Sequence, residues 1–199
     1  MLPIAREEEF KEILRLRLSE PRYTHSLNVA KTARELALKY GADEEKAYTA
    51  GLLHDILKDD EKSAQREYLE RSGVILTECE RLAPKLWHAM GAAIYLRENL
   101  GITDGEILSA VRYHTTARAG MSTLERVLYI ADFISEDRTY DGVERMRQKA
   151  SESLEKAMLE GLQFTIIELA DEERTIHPDT LAAYNETVYI TAAMKRSEK

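Results

Sequence analysis

An all-α fold is predicted by three features of the sequence. Apolar residues recur at helical spacing along nearly the whole chain, and Thr77, Thr103 and Ser122 each precede a Glu by three residues. The chain also holds only 4 Pro and 9 Gly, too few turn formers for a many-stranded sandwich or barrel. Helices are expected near 4–18, 22–40, 43–58, 61–72, 78–82, 88–100, 104–114, 123–134, 143–170 and 179–196. Leu27, Ala30, Ala33, Leu36, Ala37 and Tyr40 form the apolar stripe of the second, which Gly41 stops. Asp43 caps the third, whose stripe runs through Ala47, Ala50, Leu53 and Leu57. The pairs Thr77/Glu80, Thr103/Glu106 and Ser122/Glu125 read as capping boxes that open the fifth, seventh and eighth helices. Thr115 to Met121, with Gly120 and two adjacent Thr residues, suits a functional loop between helices. Ala170-Asp171-Glu172-Glu173-Arg174 ends a helix in water.

With 199 residues, 44% of them apolar and 32% charged, the chain is expected to form one compact domain over 1–199, terminal helices packed upon it. A formal charge of −8 argues against a nucleic-acid coat or an anionic membrane surface as partner, although a local basic pocket remains open to it. The single cysteine, Cys79, removes disulfide frameworks, CxxC redox chemistry and zinc ribbons together. No 18-residue apolar run occurs and the N-terminal segment turns acidic, so a soluble, cytoplasmic protein is expected.

The chemistry is carried by histidines. His25, His54, His88 and His114 fall on separate expected helices or their ends, and His54 is followed by Asp55. Adjacent helical residues project about 100° apart, so His54 and Asp55 share one metal only if the ion lies between them, close to a crossing helix that brings more ligands. His25 is the natural third ligand. Asp132, inside the apolar run Val127-Leu128-Tyr129-Ile130-Ala131-Asp132-Phe133-Ile134, is the natural fourth, because a charge there is costly unless paired or coordinated. Each residue alone has a plainer explanation. A helical His is usually hydrogen-bonded or part-exposed, Asp132 could pair with an arginine, His177 before Pro178 reads as structural, and Cys79 reads as a thiol without a role.

Together the motifs Arg22-Tyr23-Thr24-His25-Ser26, His54-Asp55-Ile56-Leu57-Lys58, Arg112-Tyr113-His114-Thr115-Thr116 and Tyr129-Ile130-Ala131-Asp132-Phe133-Ile134 resemble those of the HD-domain metal-dependent phosphohydrolases. Within that superfamily the finer resemblance is to the YqeK-like symmetrical bis(5'-nucleosyl)-tetraphosphatases. It covers residues 20–140, and Ile176-His177-Pro178-Asp179-Thr180 through Asn185 resembles the C-terminal segment of that group. Two departures stand out. Ile56-Leu57 replaces an expected Tyr-Ala, and Ser135-Glu136-Asp137-Arg138 replaces an expected Glu-Pro-x-Arg.

The resemblance implies a single HD-domain helical bundle, with core motifs over 20–140 and helices over 143–196 completing a nucleotide pocket. It implies a divalent metal, iron by family habit, on His25, His54, Asp55 and Asp132. A second ion on Asp55, His88 and His114 is an equal alternative to those two histidines facing phosphate. The implied reaction is hydrolysis of diadenosine tetraphosphate at its central bridge by a metal-activated water, giving two ADP, and a homodimer is the implied assembly. Asp55, Lys58, His88 and His114 would be catalytic. Arg22, His25, Lys58, His88, His114, Thr115, Arg138, Tyr140, Thr180 and Asn185 would contact the substrate, helical spacing placing Lys58 four residues after His54 and Arg22 three before His25. Thr116 is a further phosphate candidate. Of Trp87, Tyr113, Tyr129 and Tyr140, only Tyr140 is singled out as a base contact, since such aromatics are more often core. The ligand set reports metal and phosphate but not nucleoside. A broader nucleotide phosphohydrolase, a cyclic-dinucleotide phosphodiesterase, a non-catalytic nucleotide-binding module and a helical interaction domain are therefore the competing readings.

Overall fold

Capping chemistry decides where most of the helices begin and end. The computed structural model describes residues 6–197, and no strand occurs among them. In chain order the helices are α1 (Glu7–Arg17), α2 (Glu20–Tyr40), α3 (Glu44–Leu53), α4 (Lys62–Arg71), α5 (Glu78–Leu82) and α6 (Trp87–Glu98). A 3-10 turn, Pro84–Leu86, links α5 to α6. They are followed by α7 (Gly105–Tyr113), α8 (Thr123–Ile134), α9 (Val143–Glu152), α10 (Leu154–Asp171) and α11 (Pro178–Ser197). Gly41 closes α2 in the left-handed region at φ 71°, where a Cβ would be strained. Asp43 caps α3 by accepting from the amides of Glu45 and Lys46. Thr77/Glu80 and Ser122/Glu125 form the reciprocal bonds of complete capping boxes.

Three expectations need correction, and a fourth falls partly outside the described residues. The first helix begins at Glu7 among the described residues, and residues 4–5 of the expected range lie outside them. The third helix does not reach residue 58. It stops at Leu53, and the chain tightens into turns in which Ile56 and Lys58 donate to the carbonyls of Leu53 and Asp55. The cap of α7 is Asp104, not Thr103: its carboxylate accepts from Glu106 and Ile107, an acceptor stronger than a hydroxyl at the neighbouring position. The expected 143–170 helix is two helices broken at Ser153, whose backbone is extended (φ −160°, ψ 137°) while its hydroxyl caps α10 at Lys156.

α2 runs through the centre, packed lengthwise on α3 and α8, with α7 closing against α3, α6 and α8. The α2–α3 contact is close because Gly51 faces Ala30. A Cβ at Gly51 would stand 2.7 Å from the Ala30 Cα. Val29, Ala30, Ala33, Leu53, Ile56, Leu128 and Ile130 form part of one continuous buried core there. α9 and α11 pack on α10, and α10 packs on α8, so the C-terminal helices share the same scaffold. No helix is long and apolar enough to cross a membrane among the described residues.

Candidate metal centre

Five helices deliver one histidine or aspartate each to a common point, and one of them delivers two. His25 lies in α2, His54 is the C-cap of α3 with Asp55 in the following turn, His88 opens α6, His114 is the C-cap of α7, and Asp132 lies in the last turn of α8. The ring centroids of His25 and His54 are 5.5 Å apart, those of His54 and His114 4.9 Å, and those of His88 and His114 5.2 Å. His54 is fully buried, and Asp55 is 2% exposed.

The ring orientations of His54, His114 and His25 are set by hydrogen bonds on the outer nitrogens, whereas His88 Nδ1 is buried without a partner. His54 Nδ1 donates to the Gly51 carbonyl at 2.7 Å, and His114 Nδ1 donates to the Val111 carbonyl at 2.7 Å. Both sit at helix C-termini, where carbonyls lack helical partners, and the bond leaves each Nε2 as a lone pair turned inward. His25 Nδ1 bonds instead to Asp137 Oδ2 at 2.7 Å, and its Nε2 lies 3.0 Å from Asp132 Oδ1. His54 Nε2 lies 3.6 Å from Asp55 Oδ2 and 4.0 Å from Asp132 Oδ1. Such an arrangement aims acceptors at one another. Buried His54 Nε2 has no hydrogen-bond partner and faces Asp55 Oδ2, which suits a cation between them. Three groupings of ligand atoms lie within 4.8 Å: His25/His54/Asp55, His54/His114/Asp132 and Asp55/His88/His114. The donor set is imidazole and carboxylate without thiolate, compatible with a divalent metal.

Electrostatics keep the donors in the ligating state. Burial pushes His54 down to about 3 and His88 to about 4, so both rings are neutral at physiological pH. Burial opposes ionisation of Asp55, and His54, Lys58, His114 and His88 overcome it, holding the carboxyl well below its ordinary range. Asp132 is held low in the same way, against burial, by His25 and Arg138.

Three part-exposed cations rim the cluster. Arg22 Nη1 donates to Asp55 Oδ2 at 2.9 Å, and Lys58 Nζ lies 3.2 Å from His88 Nε2 and 3.7 Å from Asp55 Oδ1. Arg138 Nε donates to the Asp132 carbonyl at 2.7 Å, and its Nη2 bonds to Asp132 Oδ1. His88 Nε2 is 3.0 Å from Asp55 Oδ1 and 3.2 Å from His114 Nε2.

Beyond His114 a narrow cleft of about 40 Å³ is lined by Thr115, Thr116, His177, Thr180, Arg174 and Lys85, among others. Thr115 Oγ1 is buried there without a partner, and Thr180 Oγ1 donates to the Thr116 carbonyl at 2.8 Å, tying α11 to this loop. His177 stays out of the metal cluster, accepting from the Asp179 amide at 3.2 Å and lying 3.6 Å from Glu80. Asn185 is exposed on α11 and makes none of the hydrogen bonds that build the site or the cleft. Tyr140 packs half-buried on Phe164, centroids 5.0 Å apart, its hydroxyl unpartnered. Trp87 and Tyr129 are core, and Cys79 is a free, part-buried thiol. Asp137 and Asn28, bonded to each other at 3.1 Å beside His25, carry no periodic or motif signal that would have singled them out in the sequence.

The HD domain family matches residues 22–137. Symmetrical bis(5'-nucleosyl)-tetraphosphatases of Halalkalibacterium halodurans and Bacillus subtilis are 38% and 35% identical to the chain, covering 88% and 89% of it and 93% and 95% of their own lengths. A crystal structure of an HD superfamily hydrolase from Clostridium acetobutylicum, described as involved in NAD metabolism, superposes with a TM-score of 0.89 at 36% identity. That comparison covers 92% of this chain and 96% of the other. The match spans every helix that contributes a histidine or aspartate to the cluster, and the chain belongs to the HD domain family, alongside the symmetrical bis(5'-nucleosyl)-tetraphosphatases.

Proposed function

We propose that the protein hydrolyses diadenosine tetraphosphate symmetrically, using a divalent metal held by His25, His54, Asp55 and Asp132. The observation that carries this reading is the convergence of inward Nε2 lone pairs and buried carboxylates beside the cations Arg22, Lys58 and Arg138. A bound divalent ion supplies Lewis acidity there, acidifying water and offsetting charge on phosphate oxygens. In the balanced reaction a water oxygen bonds to one of the two central phosphorus atoms and the bond from that phosphorus to the central bridging oxygen breaks. The bridging oxygen leaves with the other ADP and a proton is released.

The residues of this chain bind and orient. Lys58, with three donors and no acceptor, offsets the charge growing on the central phosphates, and His88 and His114 would meet phosphate oxygens only as donors, through a protonated Nε2. Lys58 at 3.2 Å from His88 Nε2 places a cation where a second ion on Asp55, His88 and His114 would otherwise be needed, which favours the phosphate role for these histidines. Arg22 and Arg138 neutralise the outer faces of Asp55 and Asp132 and extend the cationic rim toward the substrate. Thr115 and Thr180 line the cleft that would take one nucleoside, and the contacts expected of Tyr140 and Asn185 belong to the same proposal.

Iron is the metal that the family resemblance implies, the donor set itself fitting several divalent ions, and cytoplasmic residence and a homodimer belong to the same reading. The test is to measure metals in the purified protein, determine its mass in solution, and resolve the products formed from diadenosine tetraphosphate. ADP alone, in step with metal content, is expected. AMP plus ATP rejects symmetrical cleavage, and turnover that is indifferent to chelation rejects the metal.

A further inference from the structure

His25 differs from the other cluster histidines in how its ring is held. His54 and His114 lie at helix C-termini and use the free carbonyls of Gly51 and Val111. His25 sits inside α2, where the carbonyls are engaged in helical bonds, so its Nδ1–H needs an acceptor from elsewhere. Asp137 supplies it. Its Oδ2 accepts from His25 Nδ1 at 2.7 Å, and its Oδ1 accepts from Asn28 Nδ2 at 3.1 Å, so the carboxylate grips two side chains one turn apart on α2.

The turn that carries Asp137 is itself fastened. Arg138 N donates to the Ser135 carbonyl at 3.0 Å, and Arg147 of α9 donates to the carbonyls of Ile134, Ser135 and Arg138 at 3.1, 2.8 and 3.1 Å. The same turn sends Arg138 to Asp132. Asp137 occupies the unspecified position of the expected Glu-Pro-x-Arg pattern, so the pattern does not call for it.

We propose that Asp137 is a positioning residue for the metal centre: it fixes the His25 tautomer with the proton on Nδ1, presents Nε2 to the ion, and raises the donor strength of that nitrogen beyond what a neutral carbonyl would give. This rests on His25 being a ligand, as proposed above. Replacing Asp137 by Ala frees the ring to protonate on Nε2, and replacing it by Asn retains a neutral acceptor of nearly the same shape.

The experiment titrates Zn(II) into the chelator-stripped full chain by calorimetry, for the parent and for Asp137→Ala, Asp137→Asn and His25→Ala. Imidazole 15N shifts of the metal-free proteins are recorded in parallel. Asp137→Ala should lose on the order of 10- to 100-fold in affinity. Its His25 should change from the Nδ1–H tautomer to a mixture, with Asp137→Asn between Ala and parent on both readouts. Undiminished affinity in Asp137→Ala overturns the proposal, as does a weakened affinity with an unchanged His25 tautomer, which would make Asp137 merely structural. If His25→Ala itself binds Zn(II) as tightly as the parent, the ligand assignment fails. If it does not, while Asp137→Ala binds normally, only the positioning role falls.

Discussion

Asp55 is buried, yet its neighbours make ionisation favourable: Arg22 bonds one oxygen, Lys58 stands 3.7 Å from the other, and His54 lies alongside. Asp55→Asn preserves the shape and removes the charge, so it is expected to lose bound metal and drop ADP formation to background. Elemental analysis and product chromatography on one sample check both. Lys58→Ala should keep the metal and lower kcat by roughly 10²- to 10³-fold, as removal of a transition-state donor does elsewhere. A Lys58→Ala protein at full rate would deny the residue its phosphate role. The residues of the cluster were legible in the sequence because His-Asp in an apolar setting and an aspartate inside an apolar helix are expensive unless used. Asp137 was not, since an acid in a charged, turn-forming stretch looks like any solvated surface residue.

At the level of elements, the centre depends on how closely α2 and α3 approach. Gly51 permits that approach and also offers its carbonyl to His54 Nδ1, so packing and ligand orientation share one residue. Gly51→Ala places a Cβ 2.7 Å from backbone that cannot swing aside. A loss of about 1–3 kcal/mol is expected, read as a lower urea midpoint at unchanged slope, with weaker metal binding because His54 is displaced. An unaltered midpoint would mean that the two helices separate at little cost. Helix starts at Asp43, Thr77 and Ser122 could be read from the sequence because caps are local. The stop at Leu53 and the break at Ser153 could not, because apolar periodicity continues through the first, while the second is an extended residue between two helix-forming runs.

For the whole molecule, the cluster links stability to pH. His54 and His88 titrate near 3 and 4 in the fold, against about 6.5 for the unperturbed side chain. Between those values the unfolded chain binds more protons than the native one, so stability present above about pH 6.5 is lost progressively as pH falls. The depressed Asp55 and Asp132 carboxyls act in the same direction at lower pH. The metal-free protein should therefore show a flat Tm above neutrality and a falling one below about pH 6.5. Added Zn(II) should raise Tm at neutral pH and lose its effect in acid, where the ligands must give up protons to bind it. Scanning calorimetry across pH checks this, and a Tm that rose on acidification would contradict neutral buried imidazoles. The sequence by itself determined the helical class, most helix starts and which histidines and aspartates are the candidates that cluster, since these follow from period, local caps and the cost of burying polar groups. Only the tertiary structure decided which nitrogen of each ring faces inward, that Asp137 and Asn28 stand behind His25, and that Arg22 and Arg138 bond the carboxylates, because those contacts join residues 33 to 112 positions apart, or depend on how a turn folds back on its own helix.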